Sequence, residues 1–308
     1  MNTCVVGAGA IGGWIAAKLA LAGEQVMALT SRRALDLIEV SEGGENRTAE
    51  LTRFDGPAGL LVVAVKATAL EAAAQSAEAL VGSETIIVPM LNGVPWWFVE
   101  GEPLVSVDPN GAVAAAFPFE QIVGCVVHAS CRRSGPAKIV VNHAEKLIIG
   151  DPYAGETSER AARLFALLDE AGLTPDLTGN VRRAIWYKLW GNATINPLSA
   201  LTRATAAPIL ADPECRAWML EGMAELAAIG AAIGCPISES GEDRMQVTAR
   251  LGAFKTSMLQ DVEAGRPIEL EALLGAPREI ARRHGIGTPA LDRLYNLTKL
   301  LAESLGLG

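Results

Sequence analysis

Residues 1–23 read MNTCVVGAGAIGGWIAAKLALAG, and this stretch decides the fold of the chain. A strand-like run at residues 3–6 leads into Gly7-Ala8-Gly9-Ala10-Ile11-Gly12, and an alanine-rich helical run follows. In a G-x-G-x-x-G cluster the first glycine permits a tight turn, the second lets the backbone approach a pyrophosphate, and the third lets the helix pack on the sheet. The unpaired N–H groups at the helix start attract phosphates. The stretch therefore predicts a dinucleotide site at Gly7, Gly9, Ala10, Ile11 and Gly12, in preference to a glycine turn without a ligand.

The alternation of strand and helix continues to about residue 91. Apolar runs rich in β-branched residues occupy residues 3–6, 25–29, 60–65 and 85–88, and residues 11–21 and 67–80 have helical composition. This order predicts a parallel sheet covered by helices, which is a Rossmann arrangement. Two more strand-like runs, 122–133 and 137–150, are joined by Ser134-Gly135-Pro136 and predict a hairpin that extends the sheet. A helix is then expected from Thr157 or Ser158 to Gly172.

The second half of the chain has the pattern of helices alone. Helical runs cover residues 181–200, 212–234, 239–265 and 269–308, the last with interruptions at Pro277 and Pro289. A length of 308 residues suits two domains. We therefore predict an α/β protein with a dinucleotide-binding domain at 1–179, an all-α domain at 180–308, and a cleft between them.

Composition excludes several classes of function. The formal net charge of −9 argues against a nucleic-acid partner, because a phosphate backbone is bound by clustered Lys and Arg. No apolar run is long enough to span a membrane, and Met1 leads directly into a strand-like run, so we expect a cytoplasmic protein. The cysteines and histidines lack the spacing of a metal site, so no metal is expected, and the five cysteines are interpreted as core residues.

The end of the second strand bears on the choice of cofactor. A site selective for NAD places Asp or Glu there, against the ribose hydroxyls. This chain has Leu29-Thr30-Ser31-Arg32-Arg33 instead. Hydroxyl groups followed by a guanidinium suit the 2′-phosphate of NADP, and Arg32 is the preferred contact. The alternative is that Arg32 and Arg33 belong to a solvated helix start.

A polar row runs along one predicted helix of the second half. Lys188, Asn192 and Asn196 lie at i, i+4 and i+8, so they share a helix face among bulky apolar neighbours. Buried polar groups need partners, which favours a functional site. An exposed polar stripe on an amphipathic helix is the alternative.

Seven short motifs follow one another along the chain: GAGAIGG at 7–13, VKA at 65–67, NGV at 92–94, KLWGNATINPL at 188–198, TSMLQD at 256–261, IE at 268–269 and ARRHGI at 281–286. Together they span nearly the whole sequence and resemble the ketopantoate reductases (2-dehydropantoate 2-reductases). The resemblance implies a Rossmann domain followed by a helical domain like that of 6-phosphogluconate dehydrogenase. It also implies reduction of ketopantoate to (R)-pantoate by NADPH, in the cleft between the domains. A homodimer is one candidate assembly.

The resemblance also implies roles for individual residues. Lys188 corresponds to the general acid, and Glu269 to the carboxylate that holds the substrate hydroxyl and the lysine. The substrate-binding groups correspond to Asn192, Asn196, Ser257 and Asn92. Lys66 and Asn92 correspond to groups beside the nicotinamide. These roles agree with the chemistry, because hydride delivery to a 2-oxo carbon builds negative charge on an oxygen that an ammonium can stabilise and protonate.

The sequence is also compatible with three other functions. Another small 2-oxo acid could be the substrate, since Trp96 and Trp97 after the NGV motif either pack the domain interface or narrow the pocket. A non-catalytic NADP-binding sensor would have no need of the Lys188, Asn192 and Glu269 set. A dehydrogenase of 3-hydroxy acids shares the domain plan but fits the motifs TSMLQD and IE less well.

Pro277 interrupts the predicted helix that follows Glu269, and we expect it to kink that helix.

Overall fold

A computed structural model describes residues 1–31, 33–153, 155–250 and 252–307. The chain forms two compact units. The first is Met1–Leu91 with Asn110–Ala184, and the second is Asn92–Pro109 with Ile185–Gly308. Residues 92–109 therefore belong to the second unit, although they precede the domain boundary predicted at residue 180. That domain boundary stays a prediction.

The strands of the first unit are β1 (Asn2–Val6), β2 (Gln25–Leu29), β3 (Leu37–Glu42), β4 (Glu45–Glu50), β5 (Leu60–Val63), β6 (Ile86–Pro89), β7 (Gly124–Gly135), β8 (Lys138–Gly150) and β9 (Pro175–Leu177). Its α-helices are α1 (Ala10–Leu21), α2 (Leu70–Ala77), α3 (Ala112–Ala116) and α4 (Glu159–Glu170). Short 3₁₀ turns flank α2, so the helix predicted over 67–80 is present with non-α ends.

The first sheet is parallel, with strand order β2-β1-β5-β6. It confirms the sheet predicted from the early apolar runs. The residues of β5 and β6 are buried throughout, which explains why these strands read as continuous apolar runs and lack the alternation of a half-exposed strand. The early half of the chain therefore has the expected α/β architecture.

The hairpin predicted over residues 122–150 is present as β7 and β8, but its place was predicted wrongly. It belongs to a second sheet, of order β4-β3-β8-β7, with β9 beside β8. The sequence analysis missed β3 and β4 because β4 is polar and mostly exposed, and so shows no apolar pattern. Gly43 and Gly44, both at positive φ, form the turn between them and were the available signal.

The predicted start and end of α4 are confirmed. The Ser158 side chain accepts a hydrogen bond from the Ala161 N–H at 3.1 Å, as an N-cap does. Gly172 follows the helix at φ +66°, the left-handed conformation that ends many helices.

The second unit is helical. Its helices are α5 (Val181–Thr202, from Ile185 onward), α6 (Ala206–Ala211), α7 (Pro213–Ala232), α8 (Gly241–Ala249), α9 (Ser257–Glu263), a π-helical turn at Glu271–Gly275, α10 (Ala276–Arg283) and α11 (Pro289–Leu305). The prediction of an all-α second half is confirmed.

Two details of the helical prediction differ from the structure. The single helix expected over 239–265 is two helices, α8 and α9, because Gly252 takes a positive φ and the Thr256 side chain caps α9. Regular α-helical bonding is interrupted near Pro277, as expected, but the interruption is the π-helical turn that precedes the proline. Helix α11 begins at Pro289, as the proline predicted.

Two tryptophans fix the orientation of α5. The indole N–H of Trp186 donates to Leu226 O at 3.0 Å and that of Trp190 to Met223 O at 2.8 Å, which ties α5 to α7. Both side chains are almost fully buried. Because they lie one turn apart on one side of α5, Lys188 and Asn192 face the other side.

Within the described residues, no helix is both long and apolar enough to cross a membrane.

Candidate active site

The glycine cluster forms a tight turn between β1 and α1. Gly7 has φ +93°, and a Cβ there would lie 2.7 Å from Ala64 O, so both the backbone angle and the space require glycine. The N–H groups of Gly7 and Ala8 both donate to Leu29 O at 2.9 Å, which ties the turn to the end of β2. The turn that follows β1 is thus tied to the neighbouring strand β2.

Gly12 and Gly9 differ in what surrounds them. A Cβ on Gly12 would lie 2.2 Å from Gly7 O, so Gly12 serves close packing of α1 against the turn. A Cβ on Gly9 would meet nothing nearer than Gly7 O at 3.9 Å. The space beside Gly9 is therefore left open by the described residues, as approach of a ligand to the backbone requires.

The start of α1 suits an anion. Gly9 is its N-cap and contributes no side-chain acceptor, and the first turn, which begins with Ala10 and Ile11, contains no acidic residue. Helix N–H groups at such a start bind phosphate oxygens. The cradle therefore fits the pyrophosphate of a dinucleotide.

The loop after β2 is closed by Thr30. Its N–H and Oγ1 donate to Arg33 O at 2.9 and 2.8 Å. Residues 29–33 include no carboxylate. Arg32, the predicted contact for a 2′-phosphate, lies outside the described residues.

Lys66 follows β5 in the first unit. It is half-buried and precedes the 3₁₀ turn Ala67–Ala69. Asn92, predicted with Lys66 to lie beside the nicotinamide, belongs to the second unit. The role of Lys66 stays a prediction.

A polar cluster forms within the second unit around Asn92. Lys188 Nζ donates to Asn92 Oδ1 at 3.2 Å, and Asn92 Nδ2 lies 3.5 Å from Glu269 Oε2, at the limit of a hydrogen bond. Glu269 is only 7% exposed, whereas Lys188 and Asn92 are half-buried. Three residues that are far apart in sequence are thus linked through the Asn92 amide. The fold brings the predicted general acid and carboxylate together.

The backbone on each side of the cluster explains its geometry. Glu269 directly precedes the helical stretch 270–283, and its carbonyl accepts from Leu273 N–H. After Asn92, Gly93 takes φ +81° and Val94 N–H donates to Ala272 O at 2.8 Å. The Asn92 loop is therefore docked on the same helical stretch that Glu269 begins.

The remaining predicted substrate groups lie on two helices of the second unit. Asn192 is half-buried one turn after Lys188 on α5, and Asn196 is buried one turn further along. Ser257 is the exposed first residue of α9. Their roles stay predictions.

Trp96 and Trp97 follow the Asn92 loop. Each is 4% exposed. That they pack the domain interface stays a prediction, and the substrate series proposed below tests the alternative that they narrow a pocket.

A buried carboxylate anchors the far end of segment 92–109. Glu279 on α10 accepts hydrogen bonds from Val105 N–H at 3.1 Å and from Ser106 N–H at 2.8 Å, and also from the Ser106 hydroxyl. Arg283 pairs with both Glu279 and Glu102. Burial raises the pKa of Glu279, but the hydrogen bonds from Ser106 and Val105 and the Arg283 charge outweigh it, so the pKa lies below its usual value.

Glu279→Gln is expected to destabilise the protein by about 1–3 kcal/mol at pH 7, because backbone donors lose a charged acceptor. A lowered folded-state pKa contributes stability that is present above the ordinary carboxylate value of ~4.3 and is lost as the pH falls below it. The difference in the free energy of unfolding between the wild type and Glu279→Gln should therefore become smaller in acid. Urea unfolding at pH 7 and at about pH 4 measures it.

Glu303→Gln is the matched control for this series, because its carboxylate makes an exposed i,i+4 pair with Lys299. We expect Glu303→Gln to lower the free energy of unfolding by less than about 1 kcal/mol at either pH. A Glu279→Gln difference of equal size at both pH values would contradict the assigned pKa direction.

The sequence analysis assigned no role to Ala272, Glu279 or Arg283. Ala272 acts through its backbone carbonyl, which no residue pattern reports. Glu279 and Arg283 are i,i+4 charges on a helix, a spacing that ordinarily indicates an exposed pair. Only the fold shows that they bind a distant segment.

Comparison with known proteins decides the family. The family profile Ketopantoate reductase PanE/ApbA matches residues 3–153, and Ketopantoate reductase PanE/ApbA C terminal matches residues 180–302. A 2-dehydropantoate 2-reductase of Mesorhizobium japonicum is 37% identical, and the alignment covers 99% of each chain. The chain belongs to the ketopantoate reductase family. Membership confirms the family predicted from the motifs, and the predicted reaction, reduction of ketopantoate, is the one for which the family is named.

Solved structures agree with the assignment to the ketopantoate reductases. A Ralstonia solanacearum MolK2 protein that has been assigned as a ketopantoate reductase is 43% identical, with a TM-score of 0.92 over 100% of this chain and 99% of that one. D-mandelate dehydrogenase, solved with NADH and anilino(oxo)acetate, shares the fold at 20% identity, with a TM-score of 0.84 and full coverage of both chains. The ketopantoate reductase fold is thus shared with an enzyme of another name.

Proposed function

We propose that this protein reduces 2-dehydropantoate to (R)-pantoate with NADPH, the step that supplies the pantoate of pantothenate and coenzyme A. The observation that carries the proposal is the contact of Lys188 Nζ with Asn92 Oδ1 at 3.2 Å, in a cluster that Glu269 completes. A non-catalytic NADP-binding protein needs the glycine cradle but not this cluster. Family membership supports the same reaction.

The residues of the second unit hold the substrate and supply the proton. Bound NADPH would supply the hydride to the 2-oxo carbon. The Lys188 ammonium faces the developing negative charge on the carbonyl oxygen and donates the proton that makes it a hydroxyl. The Asn92 amide orients Lys188 through Oδ1, and its NH₂ group is directed toward the Glu269 carboxylate. Glu269 accepts a hydrogen bond from the substrate hydroxyl, and the amides of Asn192 and Asn196 with the Ser257 hydroxyl bind its polar groups.

The preference for NADPH rests on the loop after β2. Residues 29–33 lack a carboxylate for the ribose hydroxyls and contain two arginines. The fold by itself does not decide the cofactor, because the D-mandelate dehydrogenase of the same fold was solved with NADH.

Arg32→Ser is expected to lower kcat/KM for NADPH by about 10–100-fold, because a charge-assisted contact to the 2′-phosphate is worth roughly 1.5–3 kcal/mol. The value for NADH should change little. Steady-state kinetics with both cofactors measures this. Arg53→Ser is the control, since Arg53 makes an exposed ion pair with Asp36. Equal losses with NADPH and NADH would contradict the 2′-phosphate contact.

A substrate series tests the rest of the proposal. We would compare kcat/KM for ketopantoate, 2-oxoisovalerate and pyruvate with NADPH. We expect ketopantoate to be preferred by at least ~10-fold, because a site that hydrogen-bonds a substrate hydroxyl discriminates against analogues that lack this group. Preference for an acid without the 4-hydroxyl group would instead assign the protein as a reductase of another 2-oxo acid, with Trp96 or Trp97 as the residues to vary next.

A further inference from the structure

The helical stretch 270–283 contains a carbonyl that its own helix does not use. In a regular α-helix, Ala272 O would accept from the N–H of residue 276, and in a π-turn from that of residue 277. Here Ala276 N–H donates to Glu271 O, and residue 277 is a proline, which has no N–H. Neither residue of this fully described stretch therefore donates to Ala272 O.

Pro277 also accounts for the π-turn. In a regular α-helix the proline ring would clash with the carbonyl of the residue four positions earlier, which is Leu273. The extra residue of the π-turn Glu271–Gly275 widens the helix ahead of the proline. The sequence thus creates a local opening in an otherwise continuous helical stretch.

The freed carbonyl is used by the Asn92 loop. Val94 N–H donates to Ala272 O at 2.8 Å. The approach is close, because a Cβ on Gly93 would lie only 2.4 Å from the same oxygen. Asn92 is two residues from this bond and contacts Lys188.

We propose that Pro277 is a positioning residue for the reaction: it frees the Ala272 carbonyl, which fixes the Asn92 loop and so places the Asn92 amide against Lys188. The inference rests on the proposed function for its kinetic consequence. Its structural part, the link from Pro277 through Ala272 to Val94, concerns this chain alone.

Pro277→Ala is the test. Alanine restores an N–H and removes the ring, so the stretch can return to regular α-helical bonding and draw Ala272 O toward Ala276 N–H. We expect kcat for ketopantoate to fall about tenfold, KM for NADPH to stay unchanged, and hydrogen exchange at Val94 to accelerate. Thermal stability should be maintained, because alanine is the better helix former.

Pro213→Ala is the matched control, because Pro213 is the exposed first residue of α7, where no upstream carbonyl is blocked. Gly93→Ala disturbs the contact between Val94 N–H and Ala272 O from the loop side, so it should reproduce the loss of kcat. The double variant, Gly93→Ala with Pro277→Ala, should have a kcat no lower than that of Gly93→Ala alone.

The outcomes separate the two claims. If Pro277→Ala matches Pro213→Ala in kcat and in exchange at Val94, the positioning role is wrong while ketopantoate reduction by the wild type stands. If the wild type reduces no 2-oxo acid yet Val94 exchanges faster in Pro277→Ala, the link from Pro277 to Val94 is supported and the proposed function fails.

Discussion

Replacing Lys188 with methionine is expected to lower kcat for ketopantoate reduction by about 10²–10⁴-fold, the usual contribution of a positioned general acid. Methionine keeps the length and apolar stem of lysine while removing the ammonium. Lys188 is half-buried and its ammonium donates to Asn92 Oδ1, which places the charge within this cluster.

The measurement is steady-state NADPH oxidation, together with the NADPH dissociation constant from fluorescence titration. The dissociation constant should change little, because Lys188 is not part of the glycine cradle proposed to hold the pyrophosphate. Lys299→Met serves as the control, since Lys299 makes an exposed i,i+4 pair with Glu303. A Lys188→Met enzyme with near-normal kcat would show that another group provides the proton.

Gly9→Ala is expected to weaken NADPH binding by about 100-fold while the protein stays folded. The added methyl meets nothing nearer than Gly7 O at 3.9 Å, so the apo protein has room for it. Gly9 has φ −78° and ψ −151°, so it lies outside the left-handed region that only glycine adopts readily. The methyl would, however, occupy the space through which the pyrophosphate approaches the N–H groups of α1.

Gly12→Ala provides the contrast. Its Cβ would lie 2.2 Å from Gly7 O and 2.9 Å from Ala64 Cβ, so this variant should lose stability as well as affinity. Thermal unfolding and NADPH titration of both variants measure the difference. If Gly9→Ala binds NADPH as tightly as the wild type, the open space beside Gly9 is not the pyrophosphate site.

The fold was predictable wherever one pattern dominated. The β1–Gly7–α1 stretch gave the Rossmann half because a buried parallel strand, a glycine turn and an apolar helix each leave a strong local signal. Strand β4 was missed because its exposed polar residues leave none, and with it the second sheet that receives the β7–β8 hairpin.

The sequence indicated which residues belong to the candidate site, but it did not indicate which of them contact one another. The spacing of Lys188, Asn192 and Asn196 follows from helix geometry, and motif resemblance supplied Asn92 and Glu269. Their convergence depends on Val94 bonding to Ala272 O and on Glu279 anchoring segment 92–109. These contacts bridge more than 170 residues, a separation over which no periodicity operates.

The most direct test of ketopantoate reduction is the product itself. Wild-type protein would be incubated with NADPH and ketopantoate, the oxidation of NADPH followed by its absorbance, and the hydroxy acid identified by chiral chromatography, with Lys188→Met in parallel. We predict one (R)-pantoate formed for each NADPH oxidised, at a rate that depends on Lys188. NADPH binding without formation of pantoate would contradict the proposed function.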